Sequence, residues 1–185
     1  MAEIRHIISD LDGTLVDTFE ANFAAYRDVL AEYGFELTRE KYHAAFGQRI
    51  DGLLRSLAGD NLLPHLAEIK QKKAIYYPQH FDLLRLNTSL VGFYRMFQSS
   101  GGHLALSSTA SAANIKKVLE AVGCMDLFEY VVTGEMVKNA KPDPDCYLAV
   151  SEYWKIIPQN ILVFEDTDIG ILAAKSAGMQ VIRVK

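Results

Sequence analysis

Two carboxylates, Asp10 and Asp12, follow a short apolar run, Ile7-Ile8, and stand directly before Gly13. Strand side chains alternate faces with a period of two, so a strand ending here sends both acids out in roughly the same direction. Like charges that close repel and raise a pKa unless a cation or protons lie between them. The pair therefore calls for a metal or for acid/base work, against the plainer reading of a turn built on Asp-Gly. Three further clusters carry chemistry: Ser107-Ser108-Thr109, Lys141-Pro142, and Glu165-Asp166. Ser108 reads either as a helix cap or as a hydroxyl that grips an anion together with helix N-terminal amides. Lys141 reads as a surface lysine or as a cation held by the restricted backbone of Pro142, which opens a helix. Glu165 and Asp166 read as acids drawn to a helix N-terminus or as a second carboxylate source for a metal.

The elements that must position these residues follow from periodicity. Residues 4–9 form a first strand, after which apolar residues fall on helical spacing from Phe19 to Tyr33, with Gly34 as a stop. Short helices are expected over 38–46, 49–57 and 63–77, with Pro64 near the start of the last and Pro78 beyond its end. From there the pattern alternates: helix 90–99, strand 103–106, helix 112–122, strand 130–132, helix 142–153, strand 161–164, helix 169–177 and strand 180–184. Strands alternating with helices mean a parallel sheet with right-handed crossovers. The expected fold is α/β, a Rossmann-like three-layer core from residues 1–17 and 82–185 with an inserted all-helical cap over 18–81. Ligands of such sheets sit beyond the C-terminal strand ends, near a topological switch point, and all four polar clusters follow a strand at that end.

Composition narrows the partners. The 185 residues carry a net charge of -4 and are half apolar, enough for one ordinary core with a small insertion. No clustered basic face suits nucleic acid, and the densest basic stretch, Lys70 to Lys73, reads as a solvated helix face. Cys124 and Cys146 share no metal-like spacing and read as reduced thiols. With no leader-like N-terminus and no apolar run of roughly 18 residues, the expectation is a cytoplasmic protein, monomeric or weakly dimeric, with no membrane partner.

The run Asp-x-Asp-Gly-Thr-Leu-x-Asp-Thr from Asp10 to Thr18 resembles the first motif of the haloacid dehalogenase superfamily. Ser108, Lys141-Pro142 and the run from Phe164 to Ile171 resemble its second, third and fourth motifs, in order, and the last is similar to the β-phosphoglucomutase and sugar-phosphatase branch. The resemblance implies that Asp10 is the nucleophile, forming an aspartyl-phosphate, and that Asp12 handles the leaving-group and water protons. It implies that Ser108 and the adjacent Thr109 hold the phosphoryl group and that Lys141 pairs with it and with Asp10. The implied metal set is Asp10, the backbone carbonyl of Asp12, Asp166 and Glu165; oxygen-only ligands point to Mg²⁺. Arg49 resembles the cap arginine that holds a non-reacting phosphate in the mutase, with Lys72 and Lys73 as further cap candidates. Asp12 separates the chain from the dehalogenases, which lack that carboxylate.

Three departures stand out. Asn22 occupies the place of a mutase histidine, Leu86-Asn87-Thr88 replaces the usual Pro-Gly, and Gly170 stands where many members carry a second Asp. The expected activity is hydrolysis of a small phosphorylated metabolite, a sugar phosphate, by a Mg²⁺-dependent phosphatase. The alternatives are a phosphohexomutase with the same site and a phospho-accepting signalling domain.

Overall fold

The computed structural model describes residues 4–46, 48 and 50–185. The chain divides into two compact units, one from Met1–Asp17 with Leu86–Lys185 and one from Thr18–Arg85.

The first unit is built on a five-stranded sheet. Its strands are β1 (His6–Ser9), β4 (His103–Ser107), β5 (Tyr130–Val132), β6 (Ile161–Glu165) and β7 (Gln180–Arg183), in the order β5-β4-β1-β6-β7. All pairings are parallel; Ile8 lies between Ala105 and Val163. Because β1 is central and the chain leaves it towards β4 and β5, then returns to β6 and β7 on its other side, its C-terminal end is the switch point where ligands bind in such sheets. Consecutive residues of β1 and β4 are buried, from Ile7 to Ser9 and from Leu104 to Ser107, so both faces are covered. On one face Ile8, Ala105 and Val163 pack with residues of α7 (Asp145–Trp154) and α8 (Asp168–Ser176). On the other, Phe164 meets Phe93 and Tyr94 of α5 (Thr88–Ser99), with ring centroids 5.7 and 5.6 Å apart. Helix α6 (Ala112–Val122) coincides with its sequence expectation and ends in the left-handed Gly123. Two two-residue strands, β2 (Val16–Asp17) and β3 (Arg85–Leu86), mark where the chain leaves and re-enters this unit.

The second unit is helical: α1 (Phe19–Ala31), α2 (Arg39–Ala45), α3 (Ile50–Ala58) and α4 (Leu66–Tyr76), with 3-10 turns over Gly59–His65 and Tyr77–Leu83. Its core gathers Val29, Leu30, Leu53, Leu54 and Ile69 around Tyr42, whose ring lies 5.2 Å from Phe19 and 5.8 Å from Phe46.

Two prolines sit differently from the sequence expectation. Pro64 lies in a 3-10 turn, not in the α-helix after it, so α4 starts at Leu66. Pro142 does not open α7: the Lys141-Pro142 bond is cis, and the helix begins at Asp145 after its cap residue Pro144. Lys141 is therefore carried by a loop.

Candidate active site

Each chemical cluster sits at the C-terminal end of its strand. Asp10 follows β1, and its backbone N–H donates to the Phe164 carbonyl at 2.9 Å, which ties it to the end of β6. The residue is 6 % exposed, and its side chain accepts from the Lys141 ammonium, Nζ to Oδ1 2.6 Å. The Lys141 side chain, 4 % exposed, also donates to Glu165 Oε1 at 2.7 Å. Lys141 thus spans two buried carboxylates from neighbouring strands. Burial opposes its charge, but Asp10 and Glu165 overcome this and hold the ammonium well above its usual range.

Asp12 takes a different partner. The strand has ended before Asp10, so strand alternation does not govern the pair, and Asp12 Oδ2 accepts from Ser108 Oγ at 3.2 Å. Ser108 also accepts from the Ala110 N–H. It is not the cap of α6, since Ser111 fills that place and accepts from Asn114. Ser108 is 2 % exposed, and neighbouring Thr109 is half-buried, with its carbonyl so near Gly134 that a Cβ there would lie 2.2 Å away.

Glu165 is the last residue of β6, not a helix-start acid. Its two oxygens take four protein donors. Lys141 and the Tyr147 hydroxyl (3.3 Å) bond Oε1, while Thr167 N–H (2.7 Å) and Oγ1 (2.9 Å) bond Oε2. Thr167 also caps α8 by accepting from Gly170 N–H. A Cβ at Gly170 would lie 1.7 Å from Glu165 Oε1. The Gly170 departure and the presence of Glu165 are thus one feature: the glycine vacates the space the glutamate fills.

Asp166 is half-buried and accepts from Thr14 Oγ1 at 3.1 Å. Gly13 has φ +92, a left-handed value that a side chain would strain, and a Cβ there would come 2.2 Å from Asp166 Oδ2. Carboxylate oxygens of Asp10, Glu165 and Asp166 lie within 4.8 Å of one another. With all three ionised, these acids and one ammonium would leave two uncompensated negative charges. Burial, reinforced by Glu165, Asp166 and Asp12 against Lys141, pushes Asp10 well above the usual carboxylate range. Burial and then Glu165 raise Asp166 to about 6. An all-oxygen set with this charge fits a hard divalent cation.

Asn87 had no role in the sequence reading and acquires one here. It caps α5 by accepting from the Leu90 N–H, its backbone N–H donates to the Leu15 carbonyl at 2.9 Å, and its amide donates to the Thr14 carbonyl. It braces the loop that carries Asp12 to Thr14; an Asn at a helix start is the signal that marked it. Tyr147 and Thr167 were also missed.

The expected cap residues lie in the helical unit. Arg49 falls outside the described residues. Lys72 pairs with Glu32 and Glu68, and buried Lys73 lies over the Tyr77 ring, Nζ 3.5 Å from its centroid. Asn22 is buried and donates to the Tyr77 hydroxyl at 3.2 Å. Both cysteines are buried free thiols. Among the described residues, no helix is long and apolar enough to cross a membrane.

A parallel sheet with an acidic, lysine-spanned cluster at its switch point defines a class, and the comparison with family models agrees: residues 7–184 match the haloacid dehalogenase-like hydrolases, and the chain belongs to that family. It is 31% identical over 180 residues to a phosphorylated carbohydrates phosphatase of Thermotoga maritima, covering 94% of this chain and 82% of that protein. It is 29% identical over 184 residues to the fructose-1-phosphate phosphatase YqaB of Escherichia coli, covering 97% and 95%. Among solved structures, a putative β-phosphoglucomutase from Thermotoga maritima superposes with TM-score 0.75 at 30% identity, over 98% of this chain and 85% of that one.

Proposed function

We propose that this chain is a Mg²⁺-dependent phosphatase that hydrolyses a small phosphorylated metabolite, a sugar phosphate, through an aspartyl-phosphate. The observation that carries the reading is Asp10 at the end of the central strand, its carboxylate 2.6 Å from a buried lysine ammonium. An ammonium has three N–H donors. With two directed to Asp10 and Glu165, the third is available to a phosphoryl oxygen beside Asp10.

Asp10 attacks phosphorus, an Asp10 O–P bond forms and the ester P–O bond breaks. Asp12 gives its proton to the departing sugar oxygen. Water then attacks phosphorus, Asp12 takes up its proton, the Asp10 O–P bond breaks, and inorganic phosphate leaves. Ser108, whose hydroxyl donates to Asp12 in the resting site, would turn to donate to the phosphoryl group, with Thr109 beside it. Asp10, Asp166 and the Asp12 carbonyl would hold Mg²⁺, with Glu165 at its border; the cation supplies charge neutralisation between carboxylate and phosphoryl group. The helical unit acts as the cap that selects substrate and excludes water, with Arg49 as a candidate phosphate ligand.

The test is phosphate release from a panel of sugar phosphates and phosphoglycolate, with Mg²⁺ or with chelator, for wild type and Asp10→Asn. Turnover that needs both Mg²⁺ and Asp10 is expected. Turnover that survives chelation or Asp10→Asn would refute the mechanism. Interconversion of hexose phosphates dependent on a bisphosphate activator would replace hydrolysis by the mutase reading, which the likeness to the putative β-phosphoglucomutase supports.

A further inference from the structure

Tyr147 has no place in the four motifs, yet it touches both charges that set the site. Its side chain is fully buried in the layer that α7 packs on the sheet with Ile8 and Val163. Its hydroxyl donates to Glu165 Oε1 at 3.3 Å, the same oxygen that accepts from Lys141 at 2.7 Å. Its ring lies 5.0 Å from the Lys141 ammonium, within the range of a cation–π attraction. A buried tyrosine needs a partner for its hydroxyl, and this one finds it on a carboxylate already bonded to the lysine.

We propose that Tyr147 is a positioning residue that apportions the Lys141 ammonium between Glu165 and Asp10. A hydroxyl bonded to Oε1 takes part of that oxygen's negative charge and weakens its hold on the ammonium. The ring, from its own side, limits where Nζ can move. Without the hydroxyl, Oε1 draws Lys141 towards itself, away from Asp10 and from the phosphoryl group that Asp10 attacks. The inference rests on the phosphatase reading for its kinetic consequence but not for the contact itself.

The test uses the full chain with Tyr147→Phe, which keeps the ring and removes only the hydroxyl. Two readouts are taken: kcat and KM on whichever sugar phosphate the wild type turns over, and the ¹⁵N resonance of the Lys141 ammonium, measured without substrate. One hydrogen bond to a charged group corresponds to a loss in kcat of about tenfold to a hundredfold, at unchanged KM. A shifted Lys141 resonance in a protein of unchanged far-UV spectrum is expected alongside. Wild-type kcat in Tyr147→Phe, or an unshifted resonance, overturns the proposal. If the wild type turns over no phosphate ester, the phosphatase reading fails and the resonance alone decides whether Tyr147 sets the lysine.

Discussion

Gly170→Ala is the substitution for which the structure gives the most definite consequence. The new Cβ would lie 1.7 Å from Glu165 Oε1, 2.0 Å from Cδ and 2.5 Å from Oε2, so the carboxylate cannot stay. A glutamate on the surface would swing aside at little cost. Here the side chain is 1 % exposed and held by Lys141, Tyr147 and two groups of Thr167. Displacing it breaks the buried Lys141–Glu165 pair, a loss of about 3–5 kcal/mol when one partner is removed. Alanine returns at most about 1 kcal/mol of helix propensity. The net expectation is a loss of about 2–4 kcal/mol, which for a chain of this size lowers Tm by about 4–16 °C. Turnover should fall as well, because Lys141 loses its second anchor. Thermal and urea unfolding followed by circular dichroism measure the first quantity, and phosphate release the second. In a Glu165→Ala background the clash disappears, so Gly170→Ala should cost almost nothing there, and the double-mutant cycle should show a coupling of about 2 kcal/mol or more. A Gly170→Ala protein within about 0.5 kcal/mol of wild type, with wild-type turnover, would mean that the glycine is not there to admit the glutamate.

Further outcomes follow from the same geometry. Ser108→Ala removes the hydroxyl that donates to Asp12 and, on the proposed mechanism, to the charged phosphoryl group, and should lower kcat by about tenfold to a hundredfold; steady-state kinetics that show only a KM change would count against it. Lys141→Met leaves Asp10 and Glu165 buried without their cation and should cost about 3–5 kcal/mol near neutral pH, less in acid, where Asp10, already raised by burial, takes up a proton; equal losses in urea unfolding at both pH values would contradict this. Mg²⁺ at about a hundred times its Kd should stabilise the fold by about 2.7 kcal/mol, read as a Tm rise that Asp166→Ala abolishes. Without metal, the folded pKa of Asp166 lies near 6, above its ordinary 3.8. Its protonation therefore favours the fold fully below about pH 3.8, and that contribution fades as pH rises through 6. Since the proton and Mg²⁺ compete for the same oxygens, Mg²⁺ affinity by calorimetry should rise between about pH 5 and pH 7; a flat profile would sink the assignment.

How much of this was legible in the sequence depends on where the information lies. Buried strands announce themselves as short apolar runs, as β1, β4 and β6 do, and the partly covered β5 and the largely exposed edge strand β7 carry shorter ones, Val131-Val132 and Val181-Ile182. Asp10, Ser108 and Glu165-Asp166 were readable because each lies at or just past such a strand, and because the strands' parallel direction brings those ends to one edge. The start of α7 was not readable. Pro142 looks like a helix-opening proline, but here it serves the loop that aims Lys141, and Pro144 takes the place beside the helix. The 3-10 turn at Pro64 and the two-residue strands β2 and β3 are too short to leave a period. The socket of Glu165 was hidden for a different reason: Tyr147, Thr167 and Gly170 meet only when α7 and α8 pack on β6, and no spacing in the chain encodes that meeting. Asn87 lay between, a recognisable cap whose second task, bracing the loop after Asp12, needs the fold.

On the proposed mechanism, one departure from the mutase pattern bears on the choice between hydrolysis and phosphoryl return. A mutase has to hold its phospho-enzyme until the sugar comes back, which requires control over when water is activated. The resemblance places a histidine in the mutase where this chain has Asn22, and an imidazole titrates near neutrality. An amide does not, and this one is committed: Asn22 is buried in the helical unit, and its amide donates to the Tyr77 hydroxyl, under whose ring Lys73 is also drawn. The position has become part of a packed tyrosine–lysine cluster and cannot gate a proton. An amide committed in this way supports the proposed hydrolysis over phosphoryl return, with Asp12 as the proposed group that activates water.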